Sequence, residues 1–171
     1  MQSPTDDPKD AARYEAVEEA IELLREEDTA AAIPMLRATL EGDPANVYAH
    51  FYLGTALATE GKHGPALAAF TEAERRAPAY LGAVVSRAWC LHDLGRFAEA
   101  VRAGQRALEL RAEDPDALYL LGVCHAELGQ RAAAIAHLER FLATRPAVEA
   151  KHDAEALLSA LRGKARPLEP A

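Results

Sequence analysis

Aromatic side chains are scarce in this chain of 171 residues. Only 6% are Phe, Trp or Tyr, although half of all residues are hydrophobic. Its core must then be built mainly from Ala and Leu, and alanine has the highest helix propensity of any residue. No segment shows the β-branched alternation of a half-buried strand, so an all-α chain is expected. No apolar run approaches the ~18 residues of a spanning helix, which argues against a membrane span. Met1 to Ala12 is polar and includes Pro4 and Pro8, unlike a secretory signal. A cytoplasmic location is the expectation. Lysine is scarce as well, with Arg outnumbering it 15 to 4, and with the abundance of Ala this suggests a bacterial source.

Positive charge is in deficit, and unevenly so. Residues 1–46 hold twelve acidic and four basic side chains, which accounts for the full net charge of −8. Residues 47–171 hold fifteen of each and are neutral. Without a basic face to neutralise phosphates, no nucleic-acid partner is expected. The acidic end reads as a solvated cap, or as a docking patch for a basic partner. Catalytic motifs are missing too: no HExxH, GxSxG, GxGxxG or P-loop pattern occurs. His50, His63, His92, His125, His137 and His152 are spread along the chain at no close metal-ligand spacing. His92 lies near Cys90 and His125 follows Cys124, but residues one or two apart on a helix do not face each other. No catalytic residue, metal site or cofactor is expected.

What the chain does have is a ruler. Gly61, Gly95 and Gly129 stand 34 residues apart, and Ala32, Ala66, Ala100 and Ala134 keep the same step. Pro44, Pro78 and Pro146 follow it, with Ala112 in the remaining slot. A fixed period of this length marks stacked repeats. Cys90 and Cys124 share one slot in successive repeats. Equivalent positions in stacked helix pairs lie on the order of 10 Å apart, too far for a disulfide, so both are expected as reduced, buried fillers.

Each period reads as two helices. Asp7-Pro8 opens a long helix to about residue 27, and Thr29 caps a second that ends near Gly42. Further pairs span about 45–60 and 64–77, 79–94 and 97–111, and 116–128 and 131–144, with turns at Gly61, Gly95 and Gly129. A ninth helix covers about 148–161, with Lys151, His152, Asp153 and Glu155 as its polar side. Small residues at Gly54, Ala66 and Ala73 allow close backbone approach beside Leu53, Leu57 and Phe70. Pro34 lies inside a helix and removes a backbone bond, so the first repeat is expected to bend or start late.

These landmarks resemble the tetratricopeptide repeat family. Residues 47–80 carry Leu53-Gly54, Gly61, Ala66, Phe70, Ala73 and Pro78 at the family's spacing. Residues 115–148 carry Leu121-Gly122, Gly129, Ala134 and Pro146, and residues 81–114 keep Gly95, Phe97, Ala100 and Ala107. Residues 13–46 keep only Ala32, Leu36 and Pro44. The resemblance implies a right-handed α-solenoid of antiparallel helix pairs, four units plus a capping helix at 148–162, forming one domain over 8–162. A disordered start at 1–7 and a flexible tail at 163–171 would flank it. Two departures stand out. Gly104 replaces a large ring and leaves space for Trp89 or another large neighbour. Arg87 replaces a buried leucine and needs a carboxylate or solvent.

The resemblance further implies a concave groove lined by the first helix of each pair. Carried onto this chain, that face comprises Tyr48, Phe51, Tyr52 and Thr55, then Val85, Trp89 and His92, then Asp116, Tyr119 and Val123. Phe51 and Trp89 could equally be packing between repeats. Tyr48, Tyr52 and Tyr119 are expected to reach solvent with their hydroxyls. Family members that clamp acidic chaperone tails use Lys, Asn and Arg in slots that here hold Val17, Ile21, Phe51, Thr55, Gly82 and Ser86. The expected role is a non-catalytic adaptor that holds an apolar peptide or amphipathic helix of a protein partner. A secretion-type chaperone and a self-assembling scaffold are the alternatives.

Overall fold

The computed structural model describes residues 9–163. The expected start at 1–7 and the Asp7-Pro8 cap lie outside these residues, as does the expected tail apart from Gly163. Among the described residues there are ten helices and no strand: α1 Asp10–Glu15, α2 Glu18–Arg25, α3 Thr29–Gly42, α4 Val47–Thr59, α5 His63–Arg76, α6 Leu81–Asp93, α7 Phe97–Leu110, α8 Pro115–Glu127, α9 Arg131–Ala143 and α10 Val148–Gly163. They fall into two compact units, one up to Arg96 and one from Phe97. In the first, α2 through α6 each pack on the next, and α4 also meets α1, α2 and α6. In the second, α7 packs on α8, α8 on α9 and α9 on α10.

Helices α2, α4, α6 and α8 end in one and the same turn. Gly61, Gly95 and Gly129 have φ of 72°, 71° and 69°. The amide of each following residue, Lys62, Arg96 or Gln130, donates to the carbonyl five residues back at 2.8 Å. This closes the helix end through a left-handed residue. One period before Gly61 stands Glu27, with φ of 63°, and the Asp28 amide donates to the Leu23 carbonyl at 2.8 Å. The turn is thus fourfold, and its first copy is made by a residue with a side chain.

Close helix approach depends on the small slots. Ala32, Ala66, Ala100 and Ala134 are all fully buried. A methyl group on Gly54 would lie 2.7 Å from the Phe70 ring, and one on Gly122 would lie 2.7 Å from Leu138. At Gly104 the vacated space is taken by Leu120 and Leu121, whose carbons come within 2.9 and 3.0 Å of where a Cβ would stand. The large neighbours that fill it are therefore leucines of α8. On α10, Ala154 and Leu158 are buried with Leu118, Leu138 and Phe141, while Lys151, His152, Asp153 and Glu155 are exposed.

The first repeat differs from expectation in where it breaks. Pro34 lies on the exposed side of α3, which runs through it without interruption. The break falls instead between α1 and α2. There the Val17 amide donates to the Tyr14 carbonyl at 3.0 Å, one residue short of the α pattern, and Val17 turns into the core at 1% exposure. The Arg13 carbonyl left over accepts from the Asn46 amide side chain at 2.9 Å. The Thr39 hydroxyl, whose nearer acceptor is the Met35 carbonyl at 3.1 Å, also lies 3.4 Å from the Ala16 carbonyl. The Asn46 bond thus compensates for part of the broken helix. The cap of α3 is Asp28 rather than Thr29, its carboxylate accepting from the Ala31 amide at 3.0 Å.

Glu27→Gly should raise the urea midpoint, corresponding to a gain of up to about 1 kcal/mol in unfolding free energy, because it removes the left-handed penalty at an exposed residue. An unchanged or lower midpoint would mean the turn carries no strain.

Candidate partner-binding face

Four residues of the expected face sit on α4, and they do not share one environment. Tyr48 is buried at 4% exposure, which corrects the expectation that it reaches solvent. Its hydroxyl donates to the Asp10 carboxylate of α1 at 2.6 Å. Its ring meets the edges of Tyr14 and Tyr80 at centroid distances of 5.1 and 6.4 Å. The phenol found a partner, but inside the fold. Thr55 is partly exposed and spends its hydroxyl on the Phe51 carbonyl at 3.2 Å.

Phe51 and Tyr52 brace each other edge-to-face at 5.1 Å, and both are partly exposed. Phe51 also touches Phe70 at 5.8 Å and Tyr80 at 4.9 Å, so it is packing and surface at once. Burial, together with the neighbouring Tyr14 phenol, holds the Tyr52 hydroxyl above its ordinary pKa. Tyr80 was not singled out from the sequence. Its ring leans over Gly82, where a Cβ would stand 3.3 Å from it. The clue lay in the period: Gly82 occupies the slot of Tyr14 and Tyr48, and Tyr80 supplies the missing ring from two residues away. Burial raises its hydroxyl pKa strongly.

On α6, Val85 is buried at 9% exposure and belongs to the core rather than the face. Trp89 is partly exposed, with the His92 ring at its edge, 5.5 Å away. The His92 Nδ1 lies 3.0 Å from one oxygen of Asp93, and the His63 Nδ1 lies 3.3 Å from the other. Arg87 finds its carboxylate in Glu74, as its half-buried position demanded.

In the second unit, Tyr119 packs its ring on Phe141 at 5.0 Å and remains partly exposed, as does Val123. Asp116 is exposed. Histidines read as scattered come together here: His125 and His137 stack at 5.1 Å. Burial lowers the His137 pKa. Cys90 and Cys124 are free and buried, and burial pushes both thiols up to about 11. Among the described residues, no three His, Cys, Asp or Glu side chains gather as a metal site. No helix among them is long and apolar enough to cross a membrane.

A polar strap fastens α1 to the start of α4. Asn46, at 1% exposure, accepts from the Ala49 amide at 3.0 Å while donating to the Arg13 carbonyl. The Arg13 guanidinium meets Asp43 at 2.7 Å. That hydrogen bond holds the Asp43 carboxyl below its ordinary value.

The sequence profile of the tetratricopeptide repeat matches residues 17–80, 60–115 and 88–149. None of the curated proteins matches the chain. Among solved structures, MamA is similar with a TM-score of 0.77 at 22% identity, over 85% of this chain and 84% of that one. YrrB, described as a tetratricopeptide repeat protein with an unusual peptide-binding site, gives 0.74 at 20% identity, over 87% and 75%. The first tetratricopeptide domain of Spaghetti (RPAP3), bound to the HSP90 peptide SRMEEVD, gives 0.66 at 20% identity, over 68% and 93%. At these identities the likeness is one of fold.

The strap has a pH dependence with a definite sign. Because folding lowers the Asp43 pKa, its contribution is complete above about pH 4 and lost as pH falls through the folded value. Arg13→Met should lower the urea midpoint at neutral pH, and the gap to the unaltered protein should narrow in acid. An equal gap at both pH values would show that the ion pair does not act.

Proposed function

The chain belongs to the tetratricopeptide repeat family, and we propose that it is a non-catalytic adaptor holding an apolar peptide or amphipathic helix of a partner protein. The reading places it in the bacterial cytoplasm. One observation carries it: Phe51, Tyr52 and Trp89 are partly exposed on the first helices of their pairs in a chain poor in aromatics. Large rings are the usual anchors of binding energy. Phe51 and Tyr52 are already braced by each other, so little freedom is lost when a partner covers them. In the second unit, Tyr119 and Val123 supply the same chemistry. His92 adds a polar group beside Trp89, whereas Arg87 is occupied by Glu74.

Peptide binding by YrrB and by the Spaghetti domain, as their descriptions state, supports this use of the fold. The ligand must differ from an acidic chaperone tail. The slots that would hold a carboxylate clamp contain Val17 and Ile21, both buried, with Phe51, Thr55, Gly82 and Ser86. None offers a cation.

A fluorescein-labelled peptide, selected on the full chain from a random displayed library, provides the assay. Tyr52→Ala combined with Trp89→Ala should weaken its binding about tenfold or more in fluorescence anisotropy, with far-UV helicity unchanged. Unaltered affinity in that double variant would exclude this face.

A further inference from the structure

The second and third repeats fill two slots of the period with apolar side chains. Leu57 and Leu91 occupy one, Ala69 and Ala103 the other, and all four are buried. The fourth repeat puts His125 and His137 in these slots, each 34 residues on from its counterpart in the third. The two imidazoles stack at a centroid distance of 5.1 Å with 20° between their planes, which joins α8 to α9. His125 is only 7% exposed. Both Nδ1 atoms face acceptors, the Gln130 side-chain oxygen at 2.5 Å and the Ala133 carbonyl at 2.8 Å. Each neutral ring thus carries its hydrogen on Nδ1 and a lone pair on Nε2, where a second proton enters. The Gln130 backbone amide also donates to the His125 carbonyl at 2.8 Å, so the stack sits at the turn between the two helices.

We propose that the His125–His137 stack is an acid-sensitive clasp on α9. With both rings neutral it holds α9 against α8, and a proton on each ring sets two like charges against each other and loosens α9. Such charges repel strongly where water is partly excluded. Arg140, one turn along α9, adds to the positive side, and burial together with these two charges lowers the His137 pKa against the opposing pull of the Ala133 carbonyl. Helices α7 and α10, which pack on this pair, bury no charged residue to offset the repulsion. A histidine whose pKa falls on folding takes up its proton more readily in the unfolded chain. The contribution of the clasp is therefore intact above about pH 6.5, the ordinary histidine value, and is lost as pH falls from there through the folded value. The device does not depend on the peptide-holding reading, although α9 also carries Phe141, which supports the Tyr119 ring.

The test compares the full chain with the double variant His125→Leu/His137→Ala, which restores the side chains of the third repeat. Between about pH 7.5 and about pH 5.5, a range that spans histidine titration, hydrogen-exchange protection of the α9 amides is measured and corrected for intrinsic rates. It should fall several-fold in the unaltered chain and hold level in the variant. The comparison removes the contribution of His50, whose pKa burial also lowers. An equal or greater fall in the variant would overturn the clasp, as would protection in the unaltered chain that does not change with pH. Should the variant not fold, the ring-proton NMR titrations of the unaltered chain decide the matter. His137 should titrate below about pH 6.5, in step with the loss of α9 protection. A loss centred where neither His125 nor His137 titrates would overturn the proposal.

Discussion

Everything in this fold depends on how closely two helix backbones can approach at one small residue. In the second repeat the Phe70 ring lies where a side chain on Gly54 would have to be, and in the fourth Leu138 does the same over Gly122. The fully buried alanines at 32, 66, 100 and 134 serve the neighbouring contact. An Ala-rich core of this kind buries little area per residue, so its stability comes from dense contact along whole helices rather than from a few large side chains. Six of its ten rings, Tyr14, Tyr48, Phe51, Tyr52, Trp89 and Tyr119, stand on the first helices of the pairs, and all of these but Tyr48 remain partly in solvent.

The first repeat satisfies the same constraint by other means. Its initial helix is broken, and the Arg13 carbonyl freed there is taken up by Asn46. Its turn uses Glu27 in a left-handed conformation, and Asp10 ties Tyr48 to α1. Polar bonds hold this repeat together where its regular pattern lapses. The same region carries the chain's negative charge, so the end that departs most from the repeat is also the end with the most distinctive surface.

The period revealed the architecture because each landmark answers a local requirement. A left-handed turn needs glycine, and a close approach needs a residue no larger than alanine, so both show in single residues. Contacts between distant residues did not show. Nothing local announces that Tyr48 will meet Asp10, 38 residues earlier, and so a residue expected on the surface proved to be buried. The need of Arg87 for a carboxylate was legible, but its identity as Glu74 was not. The space at Gly104 was legible too, yet Leu120 and Leu121 fill it. Glu27 was missed because its slot is defined by conformation, and a glutamate there hides it. Of the candidate face, Phe51, Tyr52, Trp89, Tyr119 and Val123 keep partial exposure, while Val85 falls to the core.

The close-approach constraint is tested most directly by a double-mutant cycle between Gly54→Ala and Phe70→Val, read as urea unfolding free energies. Alanine alone should cost about 1–3 kcal/mol through overpacking against the ring. With valine at 70 the ring atoms are gone, and the better helix propensity of alanine, about 1 kcal/mol, should make the same change neutral or stabilising. A coupling of about 1 kcal/mol or more is predicted. An equal cost of Gly54→Ala in both backgrounds would contradict the claim that this glycine exists to admit the ring.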